Sequence, residues 1–130
     1  MLTGSCLCGA VTWRLAETPD HATACNCTAC RRYGSLWGYG YENEDLFVDG
    51  PSGNYVRGDK ELAFHFCNTC GCLTYWRGVE PGPDGRRRMA VNLRLAEPEA
   101  VADVKIKHFD GLDTWRTVER EATCVADMWY

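Results

Sequence analysis

Residues 66–76 read FCNTCGCLTYW, and this stretch decides the fold. Cys67 and Cys70 have the two-residue spacing of a turn that aims both thiolates at one metal ion. Gly71 follows them and gives the backbone the freedom that such a turn needs. Residues 73–76 are apolar and aromatic, which is typical of a β-strand. The stretch therefore predicts a metal-binding turn that leads into a strand.

The other cysteines are grouped as well. Residues 4–11 read GSCLCGAV, and residues 25–35 read CNCTACRRYGS. A Cys-x-Cys pair in a strand has both side chains on one face, which suits the binding of one ion. The nine cysteines form three groups and one isolated residue: Cys6 and Cys8; Cys25, Cys27 and Cys30; Cys67, Cys70 and Cys72; and Cys124.

Size and composition narrow the class of protein. The chain has 130 residues, 45% of them hydrophobic, with no apolar run as long as a membrane span and no secretory signal pattern at its start. We therefore expect one domain over residues 1–130, located in the cytoplasm, where clustered cysteines bind metal rather than form disulfides. A net charge of −4 argues against nucleic acid as a partner.

The grouping of the cysteines predicts two zinc ions per chain. Structural zinc has four protein ligands, whereas catalytic zinc keeps one position open. The spacing is compatible with a closed structural site and an open second site, although other pairings of the groups fit it too. The closed site would use Cys6, Cys8, Cys67 and Cys70, and the open site Cys25, Cys27 and Cys30.

The remaining sequence predicts a mainly β protein with few short helices. Strand-like runs alternate with turn signals such as DGPSGN at residues 49–54, a spacing that favours antiparallel sheets. The helical candidates are a turn after Cys27 and residues 97–104. Strands are predicted at residues 10–15, 35–41, 47–48, 55–56, 62–66, 73–76 and 89–95.

The three cysteine motifs, in this order, resemble the glutathione-dependent formaldehyde-activating enzyme family, also called the CENP-V/GFA family. Weaker matches at residues 91–98 and 107–115 extend the resemblance over nearly the whole chain. It implies a β-tent of antiparallel sheets held by zinc, and it implies the division into a structural and a more exposed zinc described above. Asn26 stands where many members have His, and Cys72 where Ser or Thr is usual.

The resemblance also implies carbon–sulfur bond chemistry of the S-(hydroxymethyl)glutathione synthase type, with a small thiol such as glutathione and a small aldehyde as substrates. An open zinc is a Lewis acid that favours the thiolate form of a substrate thiol. We therefore predict a zinc-dependent carbon–sulfur lyase with Cys25, Cys27 and Cys30 at its active site. Arg31 is a candidate anchor for the carboxylates of the thiol, the alternative being a solvated pair with Arg32.

Several other side chains have both a functional and a structural interpretation. His65 is expected on the strand face of the third cysteine group, beside the closed site or at the surface. Tyr33 is a candidate proton donor or a packing residue. Trp37, Tyr39 and Tyr41 share one strand face, where they form either core or the wall of a pocket. The other tryptophans are interpreted as core or surface aromatics: Trp13, Trp76, Trp115 and Trp129.

Two functional alternatives remain at this level. One is a non-catalytic zinc module that binds another protein, because a fold alone does not define an activity. The other is a lyase or transferase that acts on a thiol adduct other than that of formaldehyde. Cys72 is interpreted as a spare thiol, a replacement ligand or half of a redox pair, and Cys124 as a free cysteine.

Overall fold

The computed structural model describes residues 1–128, and Trp129 lies outside the described residues. The strands are β1 (Leu2–Ser5), β2 (Thr12–Leu15), β3 (His21–Cys25), β4 (Trp37–Tyr41), β5 (Leu46–Asp49), β6 (Ser52–Val56), β7 (Leu62–Cys67), β8 (Leu73–Gly78), β9 (Arg88–Asn92), β10 (Lys105–Asp110) and β11 (Arg116–Val118). The short helices are α1 (Cys30–Tyr33) and α2 (Pro98–Val101), with 3₁₀ turns at Leu93–Leu95 and Val125–Met128. The prediction of a mainly β fold with few short helices is confirmed.

A three-stranded sheet in the order β1-β2-β5 is antiparallel throughout. Its strand β2 alternates exposed and buried residues, as a half-covered strand should. The Trp13 ring lies over Gly4, where a Cβ atom would be only 2.3 Å from the indole. Because only glycine leaves room there, β1 and the tryptophan pack closely.

The remaining strands form an eight-stranded sheet in the order β11-β10-β3-β4-β9-β8-β7-β6. Most neighbours are antiparallel, but β10 runs parallel to β3, with Lys105 opposite His21. This parallel pair was not predicted, because β3 and β10 are short and lack clear apolar alternation. It brings a late segment of the chain, the β10–β11 hairpin, beside the Cys25 end of β3.

Two groups of buried side chains position the cysteines. The larger group includes Leu36, Met89 and Cys67 and joins residues of both sheets. The smaller group is aromatic, contains Trp37 and Trp76, and has the second cysteine group packed against it. Burying an apolar side chain of this size contributes about 2 kcal/mol. The second cysteine group therefore lies on a firmly packed aromatic base.

The helices are short and local. Helix α1 begins at Cys30 and ends at Gly34, whose φ of 64° is the left-handed conformation that glycine adopts readily. Helix α2 begins with Pro98, where a missing N–H costs nothing. Both lie at predicted helical positions. No helix in the described part of the chain is long and apolar enough to cross a membrane.

Candidate metal centres and the pocket beside them

The first and third cysteine groups meet in space. The turn between β1 and β2 carries Cys6 and Cys8, while Cys67 ends β7 and Cys70 lies in the turn that follows. Their four sulfur atoms all lie within 4.8 Å of one another, and Cys8 Sγ is 3.7 Å from Cys6 Sγ and 3.6 Å from Cys67 Sγ. Tetrahedral zinc with bonds of about 2.3 Å places its sulfurs about 3.8 Å apart. We call this set the four-cysteine cluster, and its spacing fits a zinc ion.

Backbone amides point at the sulfurs of this cluster. Val11 N–H donates to Cys6 Sγ at 3.2 Å, and the N–H groups of Thr69 and Cys70 donate to Cys67 Sγ at 3.4 and 3.5 Å. The last two amides lower the pKa of Cys67. The amides of Cys72 and Cys8 likewise lower the pKa of Cys70 to about 6. Such donors favour the thiolate form that a metal ion requires.

Cys72 stays outside the four-cysteine cluster but close to it. Its sulfur accepts a hydrogen bond from Leu7 N–H at 3.4 Å, which links the third cysteine group to the β1–β2 turn. Gly9 and Gly71 have φ values of 80° and 79°, so both turns use the left-handed conformation that glycine adopts readily.

The second cysteine group forms the three-cysteine cluster. Cys25 ends β3, Cys27 lies in the next turn and Cys30 begins α1, and their sulfurs lie within 4.8 Å of one another. Cys27 N–H donates to Cys25 Sγ at 3.4 Å, and Cys30 N–H donates to Cys27 Sγ at 3.3 Å. The indole N–H of Trp37 donates to Cys30 Sγ at 3.3 Å. Three convergent sulfurs with fixed donors suit a metal with an open position.

The surroundings act differently on the three thiols. Burial raises the pKa of Cys25 and of Cys30. Burial also acts upward on Cys27, but the Cys30 amide and the neighbouring thiols outweigh it, so the pKa of Cys27 is lowered. A bound dication would favour the deprotonated form of all three.

A pocket of about 730 Å³ opens beside the three-cysteine cluster, and all three cysteines line it. Its base is aromatic: the rings of Trp37 and Trp76 meet edge to face at 6.4 Å between centroids. Tyr39 stands in the wall, half-exposed, and burial raises the pKa of its phenol, with further upward contributions from Cys30 and Cys25. The phenol therefore stays protonated at neutral pH.

None of the charged residues that line the pocket was assigned a site role from the sequence. Three cations, Arg57, Arg88 and Lys107, line the pocket together with Asp59 and Glu61. Lys107 belongs to β10, which was not predicted as a strand. A short turn with the sequence RGD and a strand in which most residues are polar give no local sign that they line a pocket.

Arg31 lies elsewhere. It is exposed on α1 and is not among the residues that line the pocket. Its assignment as an anchor for the thiol substrate stays a prediction.

The other candidates are divided between core and surface. Trp37 is buried and Tyr39 lines the pocket, whereas Tyr41 lies under the Arg86 guanidinium, 3.5 Å from its carbon to the ring centroid. Tyr33 is exposed and packs on the Phe64 ring at 5.3 Å between centroids, and it does not line the pocket.

His65 is buried rather than at the surface. Its ring stacks on Tyr75 at 4.4 Å between centroids, and Nδ1 lies 2.9 Å from Ser52 Oγ. Burial lowers the pKa of His65 to about 4, so the ring is neutral at physiological pH. The surface alternative is therefore wrong, because the side chains of Ser52 on β6 and Tyr75 on β8, the strands on either side of β7, pack against the ring.

The turn of the β10–β11 hairpin is tied to the three-cysteine cluster. Asn26 Nδ2 donates to Asp110 Oδ1 at 3.0 Å, and Asn26 Oδ1 accepts from Leu112 N–H at 3.0 Å. Asp110 also accepts from the N–H and hydroxyl of Thr114, at 3.0 and 2.9 Å. Hydrogen bonds from Thr114 and Asn26 hold the pKa of this carboxyl well below its usual range. No local sequence pattern predicts this link, because its partners are 84 residues apart.

The fold and these sites define a class: a mainly β protein with a four-cysteine cluster that could hold a metal ion and a three-cysteine cluster that opens on a pocket. The chain belongs to the glutathione-dependent formaldehyde-activating enzyme family, whose model matches residues 1–105. It is also similar to the crystal structure of a Rhodobacter sphaeroides protein solved in structural genomics, with 28% identity, a TM-score of 0.59 and coverage of 74% of this chain and 88% of that one. No curated protein matches the chain. The resemblance inferred from the cysteine motifs is thus confirmed.

Proposed function

We propose that this chain is a zinc-dependent carbon–sulfur lyase that forms or cleaves a thiol–aldehyde adduct, as in S-(hydroxymethyl)glutathione chemistry. It would work in the cytoplasm as one domain over residues 1–130. The observation that carries this proposal is that all three cysteines of the three-cysteine cluster line a pocket with charged walls, and that the lining of this pocket includes no member of the four-cysteine cluster. A purely structural ion has no need of an adjoining pocket with charged walls. Membership of the family supports the same chemistry.

Each cluster would hold one zinc ion. Cys6, Cys8, Cys67 and Cys70 would provide a complete set of four ligands, and Cys25, Cys27 and Cys30 a set of three. When bound to the three-cysteine cluster, zinc would supply a Lewis acid that lowers the pKa of a substrate thiol.

The charged wall suits a zwitterionic thiol such as glutathione. Its carboxylates would pair with Arg57, Arg88 and Lys107, which are the cations that line the pocket. Its ammonium group would pair with Asp59 or Glu61 on the same rim. Charge of both signs within one pocket orients such a substrate better than a single cationic patch would.

Proton transfer is assigned to Tyr39. In adduct formation the thiol gives its proton to water, its sulfur forms a bond to the aldehyde carbon, and the C=O π bond breaks as the aldehyde oxygen gains a proton. The phenol of Tyr39, which is protonated at neutral pH, donates to that oxygen and regains a proton from water. In the reverse direction the phenol first gives its proton to water and then accepts the hydroxyl proton as the carbon–sulfur bond breaks, while the leaving thiolate takes up a proton from water.

Metal content and activity together test the proposal. We expect two zinc ions per wild-type chain by elemental analysis, and adduct formation from glutathione and formaldehyde above the uncatalysed rate. Cys27→Ser should hold one zinc and lose the rate enhancement. The matched control is Cys124→Ser, since that side chain bonds only Asp127, away from both clusters, and serine keeps the bond. Full zinc content without any rate enhancement would favour the protein-interaction module instead.

A further inference from the structure

Asn26 lies between two members of the three-cysteine cluster and contacts the β10–β11 hairpin. We propose that Asn26 is a positioning residue. It joins the hairpin turn to the three-cysteine cluster, so that the pocket wall formed by the turn and the three sulfur atoms keep a fixed position relative to each other. The inference rests on the proposed function in that the three-cysteine cluster must hold a metal ion. Asn26 itself is not among the residues that line the pocket, so any effect it has must pass through its neighbours.

Both ends of the Asn26 side chain are used. The amide NH₂ donates to Asp110 Oδ1, and the amide oxygen accepts from Leu112 N–H, each at 3.0 Å. The backbone N–H of Asn26 donates to Phe109 O at 3.2 Å. A donor and an acceptor fixed on one planar group allow a single orientation of that group. The backbone between Cys25 and Cys27 is therefore held at a defined position.

The hairpin turn is itself rigid at the point of contact. Asp110 accepts from Asp113 N–H at 3.2 Å in addition to its two bonds from Thr114. The carboxylate thus fixes its own turn while it receives the Asn26 amide. The position of the turn therefore determines the position of the Asn26 amide through the Asp110 carboxylate.

The turn touches the cluster directly. A Cβ atom at Gly111 would be 2.8 Å from Cys25 Sγ and 3.0 Å from Cys27 Cβ. Phe109 lies opposite Cys25 in the parallel β3–β10 pair. Phe109, Gly111 and Trp115 also line the pocket. A shift of this turn would therefore move a pocket wall and two of the three sulfurs together.

The test exchanges the side chains of Asn26 and Asp110. In Asn26→Asp the carboxylate would face that of Asp110 and the link would be lost. The double variant Asn26→Asp with Asp110→Asn restores a donor–acceptor pair, and its residue 26 still accepts from Leu112 N–H. It gives up the bond from Asp113 N–H, which shares Asp110 Oδ1 with Asn26, and keeps the acceptor for Thr114. The single variants should weaken metal binding at the three-cysteine cluster about 10- to 100-fold, and the double variant should return it to within about five-fold of wild type.

The readout is Co²⁺ and Zn²⁺ binding to the full chain without substrate. Co²⁺ absorption reports the ligand geometry, and the spectrum of Cys27→Ser, which retains only the four-cysteine cluster, is subtracted. Asp113→Ala is the matched control on the same turn, because that exposed side chain makes no hydrogen bond among the described residues. Asn26→Ser provides a milder variant if a carboxylate at this position prevents folding.

Altered spectra and weakened binding in the single variants, with recovery in the double variant, are the expected result. Wild-type affinity and spectrum in both Asn26→Asp and Asn26→Ser would overturn the inference, as would equal losses in the single and double variants. Equal metal content in wild type and Cys27→Ser would overturn both this inference and the proposed function. Metal binding as expected but without lyase activity would overturn the proposed function alone.

Discussion

At the residue scale, the chemistry proposed for the pocket depends most on Tyr39. Its phenol has a raised pKa, and Tyr39 is the only tyrosine among the described residues that line the pocket. We expect Tyr39→Phe to lower kcat about 100-fold and to change KM less than two-fold, because the phenyl ring keeps the wall intact while the proton donor is lost. Steady-state kinetics of adduct formation, corrected for the uncatalysed rate, measures both.

Tyr41→Phe is the matched control for this prediction. Tyr41 belongs to the same strand but lies under Arg86, outside the pocket. An unchanged kcat in Tyr39→Phe would show that another group or water supplies the proton.

Two arginines are rival candidates for the residue that binds the substrate carboxylates. Arg88 lines the pocket, whereas Arg31, the residue predicted from the sequence, does not. Loss of a charged hydrogen bond costs about 1.5–3 kcal/mol, so we expect Arg88→Ala to raise KM for glutathione about 10- to 150-fold. The measurement is the steady-state KM of Arg88→Ala and of Arg31→Ala, with glutathione and with a thiol that lacks carboxylates. A larger KM effect in Arg31→Ala than in Arg88→Ala would restore the sequence-based assignment.

At the scale of secondary structure elements, the β10–β11 turn needs a glycine where it meets the three-cysteine cluster. Gly111 leaves no room for a Cβ atom beside Cys25 Sγ and Cys27 Cβ. We expect Gly111→Ala to displace the turn, to weaken metal binding at this cluster about ten-fold or more, and to leave the four-cysteine cluster filled. Zinc content after brief treatment with a mild chelator measures the difference.

Gly58→Ala is the matched control, since a Cβ atom there would meet nothing within 4 Å. Equal zinc retention in the two variants would show that the turn moves aside without disturbing the sulfurs.

The same elements show what the sequence could and could not predict. The cysteines are close in sequence within each group, so local spacing predicted them as candidate metal ligands, and β8 was predicted from its apolar run. By contrast, Asn26 and Asp110 are 84 residues apart, and nothing local indicates that they meet. Strand β10 was missed because alternating lysines obscure its pattern, and with it Lys107. Contacts set by tertiary pairing are invisible to residue periodicity.

At the scale of the whole molecule, the four-cysteine cluster joins the two sheets. Cys6 and Cys8 follow β1 of the three-stranded sheet, and Cys67 ends β7 of the eight-stranded sheet, 59 residues after Cys8. Binding of structural zinc contributes to folding free energy, so we expect Cys67→Ser to lower Tm by about 10 °C or more. Cys30→Ser should lower it much less, because the three cysteines of that cluster lie on one short segment, from the end of β3 to the start of α1, and do not join the two sheets.

Thermal unfolding followed by circular dichroism, with and without added zinc, measures both variants. Equal losses of Tm in the two would show that the four-cysteine cluster does not contribute more to the fold than the three-cysteine cluster does.

The parallel pairing of β3 with β10 has a consequence for biosynthesis. Asn26 and Leu112, which hold the pocket wall in place, are 86 residues apart. At ribosomal speeds of about 5–20 residues per second, the second of them is made on the order of ten seconds after the first. During that interval the nascent three-cysteine segment has no partner strand β10 and is open to metal ions and oxidants. The three cysteines are therefore the part of the candidate site that is made early and enclosed last.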